Sequence, residues 1–153
     1  MGSPFVIDYS GSFLFPVPPD VLWAAIEDME HFEGWWGWLS EFEFDGKGLR
    51  SGSALRGVVS PPVPYRMTVR VELERCDPPR LIEAAVHGDL EGRARLALDA
   101  EAEGTRADVS WRIEMTERRM RLAARLAGPL LRWGHDRVVE TTVRGLRRQL
   151  SRK

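Results

Sequence analysis

TRADVSWRIEMTERRMRLAARLAG, Thr105 to Gly128, holds the change of period on which the fold turns. Up to Glu117 the chain alternates. Ala107, Val109, Trp111, Ile113 and Met115 share one parity, while Arg106, Asp108, Ser110, Arg112 and Glu114 share the other. A period of two is a strand with one buried face. From Arg118 onward the apolar residues recur at helical spacing. Leu122, Leu126, Leu130 and Trp133 line one face, and Val139, Val143, Leu146 and Leu150 line another. At roughly 100° per residue these two stripes do not coincide on a straight helix. Gly128, Pro129 and Gly134 lie between or near them. Proline inside a helix removes a hydrogen bond and clashes with the preceding turn. A bend or break is therefore expected there, with the second half of the helix against the sheet.

Toward the N-terminus the same alternation recurs. Phe5 to Phe15 puts Phe5, Ile7, Tyr9, Phe13 and Phe15 on one face, and Pro16, Pro18 and Pro19 end it. Asp20 to Met29 reads as a helix, with Leu22, Ile26 and Met29 at helical spacing and prolines at its start. Phe32 to Ser40 carries Trp35, Trp36 and Trp38 with Gly34 and Gly37 between them, which predicts a short second helix or an aromatic loop. Further strands are predicted over Glu41–Asp45, Ser53–Ser60, Tyr65–Arg75, Leu81–Leu90 and Gly92–Ala102. Short turns join them, such as Gly46-Lys47-Gly48 and Asp77-Pro78-Pro79. The pattern is an antiparallel meander with one covered face.

The chain has 153 residues and a net charge of -1, which suits one domain spanning residues 1–153 and excludes a generally basic nucleic-acid binder. The longest apolar run, Val21 to Ile26, is far too short to span a bilayer. Met1-Gly2-Ser3-Pro4 lacks the basic start of a secretory signal. Cys76 is the only cysteine, so no internal disulfide forms, and a cytoplasmic location is expected. Asn is absent and only Lys47 and Lys153 are lysines, so nearly all positive charge is arginine. Residues 118–153 sum to +9 and residues 1–117 to -10. A charge run of this kind is most simply a solvated outer face. The sharper reading is contact with acidic lipid or RNA through the final helix. No DNA partner is expected.

One curved sheet must bury its apolar face, and the final helix is the only element large enough to cover it. The expected class is α+β. A curved antiparallel sheet of six to seven strands wraps a long C-terminal helix, with two short helices after the first strand: the helix-grip arrangement. The stretch Phe15-Pro16-Val17-Pro18-Pro19-Asp20-Val21-Leu22-Trp23-Ala24-Ala25-Ile26-Glu27-Asp28-Met29-Glu30-His31-Phe32 resembles the opening of START-related proteins of the polyketide cyclase/dehydrase and lipid-transport superfamily, to which birch-pollen-allergen-like proteins belong. Gly48-Leu49-Arg50-Ser51-Gly52 before a strand, and the Arg-rich last helix, are similar as well. The resemblance implies a hydrophobic cavity between sheet and helix.

On that arrangement Tyr65, Met67, Val69, Leu96 and Trp111 are expected on the cavity wall, joined by Val139 and Val143 from the helix, with Trp35, Trp36 and Trp38 at its entrance. His31, His87 and His135 do not share metal-ligand spacing, so neither a metal nor any other cofactor is expected. His87 belongs to the outer parity, and His135-Asp136 reads as a local capping or loop pair. Cys76 between Arg75 and Asp77 reads as a structural thiol. Three functions follow. The first is binding of a lipid, polyketide or isoprenoid-like molecule in the cavity. The second is cyclase or dehydratase chemistry, for which the sequence offers no catalytic constellation. The third is a protein or RNA module built on the basic helix.

Overall fold

The computed structural model describes residues 6–28, 32, 36–46, 49–61 and 66–151. Alternation builds seven strands: β1 (Val6–Phe15), β2 (Leu39–Asp45), β3 (Ala54–Val59), β4 (Met67–Asp77), β5 (Leu81–Gly88), β6 (Leu90–Glu101) and β7 (Gly104–Met115). Helix α1 (Pro19–Glu27) follows β1, and α2 (Arg118–Ser151) closes the chain. The sheet order is β1-β7-β6-β5-β4-β3-β2, antiparallel throughout. Neighbours in sequence therefore pair, except that β1 crosses over to lie beside β7. This is the helix-grip architecture.

The strand boundaries follow local chemistry. β5 ends at Gly88 rather than at Leu90, because Gly88 turns with φ +111°, a left-handed conformation that glycine adopts without strain. Asp89 fastens that corner: its carboxylate accepts from the Thr68 amide at 2.8 Å and its carbonyl from the Thr116 amide at 3.0 Å. In β4 a register shift between Leu73 and Arg75 swaps the faces, so Cys76 packs inward although Leu73 does too. Thr105, fully buried at the start of β7, donates its hydroxyl to the Val17 carbonyl at 2.6 Å. That bond ties the last strand to the loop leaving the first.

Helix α1 starts on the proline pair, with Pro18 at the N-cap and Pro19 in the first turn, where a missing amide hydrogen costs nothing. It buries Leu22, Trp23 and Ala25. Of Phe32–Ser40, read as a short second helix or an aromatic loop, residues 33–35 lie outside the described residues, and Leu39 and Ser40 already belong to β2. What is described there includes an i→i−4 bond, the Trp36 amide donating to the Phe32 carbonyl at 2.9 Å.

Of the bend or break expected near Pro129, the break does not occur: α2 is one helix of 34 residues with Pro129 inside it. Both halves pack against the sheet. Met120, Ala124 and Leu131 join Met67, Val86, Leu90, Ile113 and Met115 in one core cluster. Leu146 and Leu150 join Phe15, Leu22, Trp23, Leu98 and Ala107 in the other. The predicted stripe of the first half is not the buried one. Leu122, Leu126, Leu130 and Trp133 are all exposed, Leu126 by 79%. The phase mismatch between the two stripes is thus resolved by leaving the first in solvent. The far end of α2 is fixed to β1, where the Arg147 guanidinium donates twice to the Leu14 carbonyl, at 2.9 and 3.2 Å.

Candidate functional site: an apolar cavity under the C-terminal helix

Between the concave face of the sheet and the second half of α2 lies a cavity of about 480 Å³. β1 supplies Phe13 and Phe15, β6 supplies Leu96 and Leu98, and β7 supplies Ala107, Val109 and Trp111. Helix α2 covers it with His135, Val138, Val139, Thr142, Val143 and Leu146, while α1 contributes Leu22 and Ile26. Trp36 and Trp38 stand at one end. A smaller hollow of about 260 Å³ continues toward β5, sharing Ile26, Val71, Leu96, Val109 and Trp111 with the larger one. Small inward residues leave this room: Ala84 and Ala94 face the hollow, and Ala107 the main cavity.

Four wall residues read from the sequence, Leu96, Trp111, Val139 and Val143, line this cavity, as do Trp36 and Trp38. Met67 and Val69 do not. They share the parity of the wall, but they lie farther along β4, beneath the first half of α2, in the cluster with Met120 and Leu131. Tyr65 and Trp35 are outside the described residues. The residues that the sequence reading missed lie on the strands, on α1 and on the C-terminal helix. His135 stands one turn before Val139 on the same face, and its spacing to Val139, Thr142 and Leu146 is the signal that could have placed it inside.

Most polar atoms at the wall are already engaged. The Trp111 indole donates to His135 Nε2 at 3.0 Å, which makes Nε2 an acceptor and leaves Nδ1–H to face the Asp136 carboxylate at 3.2 Å. Tyr9 completes this cluster, stacked on Trp111 with ring centroids 4.8 Å apart and edge-on to His135 at 5.2 Å. Burial, with Asp136 adding to it, pushes the Tyr9 phenol above its ordinary pKa. Together these rings divide the cavity from a second hollow of about 580 Å³ between β1 and the first half of α2, which also touches His135. Thr142 Oγ1 donates back to the Val138 carbonyl at 2.7 Å, and the Trp36 indole donates to the Thr142 carbonyl at 3.0 Å. Trp38 differs. Its indole nitrogen is buried and has no hydrogen-bond partner among the described residues.

The other expected chemical groups are elsewhere. His87 is on the outer face between Glu72 and Glu91, 3.6 and 3.1 Å away. Cys76 is half-buried, and burial, reinforced by Asp77 and Glu27, pushes its thiol up, away from the reactive thiolate. Among the described residues no group of three His, Cys, Asp or Glu side chains could hold a metal ion. The outer face of the sheet pairs arginines with acids, for example Arg112 with Asp8 at 2.8 Å and Arg106 with Glu101 at 2.8 Å.

A family model described as polyketide cyclase/dehydrase and lipid transport matches residues 7–152. No curated protein matches the chain. Among solved structures, the chain is similar to the Zhui aromatase/cyclase from Streptomyces sp. R1128, at 15% identity and a TM-score of 0.74, covering 96% of this chain and 94% of that one. It is also similar to TTHA0849 from Thermus thermophilus, at 18% identity and a TM-score of 0.73, covering 93% and 95%. Ara h 8.0201 is similar at 16% identity and a TM-score of 0.57, covering 74% and 80%. At such identities the likeness is one of fold.

Proposed function

Because the chain belongs to the polyketide cyclase/dehydrase and lipid-transport family, we propose that its internal cavity binds a hydrophobic small molecule, of lipid, polyketide or isoprenoid-like character. The observation that carries this reading is the unfilled apolar space of about 480 Å³ between sheet and helix. Native interiors are close-packed, and a void of that size forfeits packing that a ligand would restore. Its volume lies within the range of small-molecule sites. Removing apolar surface from water supplies the driving force, about 25 cal/mol per Å². The polar wall groups favour binding over proton transfer. His135 Nε2 is held by the Trp111 indole, and Thr142 Oγ1 is spent on its own helix. A general acid or base needs a free proton site within reach of the substrate. A single half-buried cysteine suits a reducing cytoplasm.

Native mass spectrometry tests the reading with oleic acid and the tricyclic ketone fluorenone as probes. A one-to-one adduct is expected, with a change in tryptophan emission, since Trp36, Trp38 and Trp111 line the space. Val143→Trp, which fills the cavity from the helix side, should abolish both signals. An apo mass alone at every probe concentration would overturn the proposal.

A further inference from the structure

We propose that the outer face of the first half of α2 docks on an anionic lipid bilayer. This rests on the cavity reading only for its consequence, that ligand passes between cavity and membrane. The face is defined by its exposed side chains: Leu126 at 79%, Leu122 at 57%, Trp133 at 49% and Leu130 at 46%. At roughly 100° per residue these four fall within an arc of about 80°. Met120, Ala124 and Leu131, which meet the sheet, lie on the opposite side of the helix. Each of the four keeps about half or more of its side chain in solvent, and a row of large apolar side chains held in water marks an interaction surface.

Charge decides the occupant. Arg118–Arg132 contains five arginines and no acidic residue. Arg118, Arg121, Arg125 and Arg132 fall together on one flank of the leucine row. Leucine and tryptophan beside a basic flank is the composition of a helix that lies in the plane of the interface, its apolar side among the acyl chains and its cations at the headgroups. Tryptophan prefers that boundary. A second copy of the chain fits less well, because an antiparallel two-fold contact would bring the two arginine flanks together and a parallel one would set no acidic residue against either flank, Arg118–Arg132 having none. RNA would use the arginines and leave the leucines in water. No described helix is long and apolar enough to cross a membrane, so the contact is superficial.

The position of the row gives the contact a purpose. Trp133, at its C-terminal end, forms one lip of a surface cleft of about 390 Å³ whose other lip is Gly37, Trp38 and Ser60. Trp38 and Val138 line both that cleft and the internal cavity. Docking the leucine row therefore sets the outer end of the cavity against the lipid.

Co-sedimentation with phosphatidylcholine vesicles, with and without phosphatidylglycerol, tests the proposal. Retention on the phosphatidylglycerol vesicles is expected, weakening as salt is raised. Leu122→Ser with Leu126→Ser should lower it about tenfold by removing apolar burial, and Arg118→Gln with Arg132→Gln should lower it and flatten the salt dependence. Circular dichroism of both variants should match the parent. Their fluorenone adduct in native mass spectrometry should persist, which separates this surface from the cavity. Equal retention on both vesicle types, or retention indifferent to the leucine substitutions, would overturn the proposal. So would an absence of vesicle binding accompanied by a dimer that the leucine substitutions dissolve. Loss of the adduct in the parent protein, with leucine-dependent vesicle binding intact, would remove the cavity reading and leave the docking surface standing.

Discussion

Trp38 carries the one buried side-chain nitrogen or oxygen, among the described residues, that lacks a hydrogen-bond partner. Leaving such a donor unsatisfied costs about 1–3 kcal/mol, so the position is justified by something other than stability. Trp38→Phe removes the donor and keeps an aromatic ring stacked near Trp36, whose centroid is 5.4 Å away. The relief offsets the lost volume, and thermal unfolding should show a change in stability of no more than about 1 kcal/mol. The same substitution should change the binding of fluorenone and of fluorene, the hydrocarbon of matching shape, alike, because the buried N–H is not exposed to the cavity. Calorimetry on the two probes checks this; a loss of about five-fold for fluorenone alone, the worth of one neutral hydrogen bond, would show that the ligand reaches the N–H. Single residues were unevenly legible in the sequence. Trp111 and Leu96 sit on strict alternations, so their face followed from parity alone. His135 did not, because a histidine beside Gly134 and Asp136 reads locally as a cap, and only the turn-by-turn spacing across Val139 and Thr142 reveals the inward face. Met67 and Val69 show the converse limit. Parity gives a residue's face, but where along the sheet the cavity opens depends on which helix residues are large above it: Met120 and Leu131 fill the space over Met67, whereas Val139 and Val143 leave it open farther on.

At the scale of elements, α2 shows why periodicity identified the helix yet misjudged its course. Two stripes out of phase require either a break or a face left in water. The expectation of a bend or break rested on Pro129 and the glycines near it. The observed helix continues through it, because Met120, Ala124 and Leu131 on one half and Leu146 and Leu150 on the other hold both ends against the sheet. Tertiary packing has overridden a local penalty of about 3 kcal/mol. That penalty is recoverable. Pro129 is exposed, so Pro129→Ala restores an amide donor without displacing a packed group. It should raise unfolding stability by about 1–3 kcal/mol, read as an upward shift of the urea midpoint with an unchanged slope. A loss of stability would mean that the proline sets a bend the sheet requires. The strands were the more legible elements. Their alternation and Gly/Pro turns fix the meander order, and the boundaries that moved did so where a backbone feature intervened, the left-handed turn at Gly88 and the bulge between Leu73 and Arg75. The first leaves no mark on the apolar/polar pattern, whereas the second does, as the two polar residues Glu74 and Arg75 between inward Leu73 and Cys76.

For the whole molecule, cavity and exposed row have one energetic logic. A domain of this size is stable by only a few kcal/mol, and here part of that margin is forgone twice, in a void of about 480 Å³ and in four large apolar side chains held in water. Each becomes favourable only when a partner is present. The two sites should therefore respond to different partners. A ligand that binds the folded state alone stabilises it by about 2.7 kcal/mol at one hundred times its dissociation constant. For a chain of this length that is a rise in Tm of about 5–10 °C. Fluorenone should produce this shift in the parent and in the Leu122→Ser, Leu126→Ser protein alike, because the leucine row lies on the opposite side of the helix from the wall. Val143→Trp should behave in the reverse sense. Its indole occupies part of the space, so its Tm without ligand should match or exceed that of the parent, and added fluorenone should leave it unmoved. Differential scanning calorimetry of the three proteins separates the possibilities. If Val143→Trp instead unfolds at a much lower temperature, the space above Leu96 and Val109 is already filled by its own side chains, and the cavity has no room to offer a ligand.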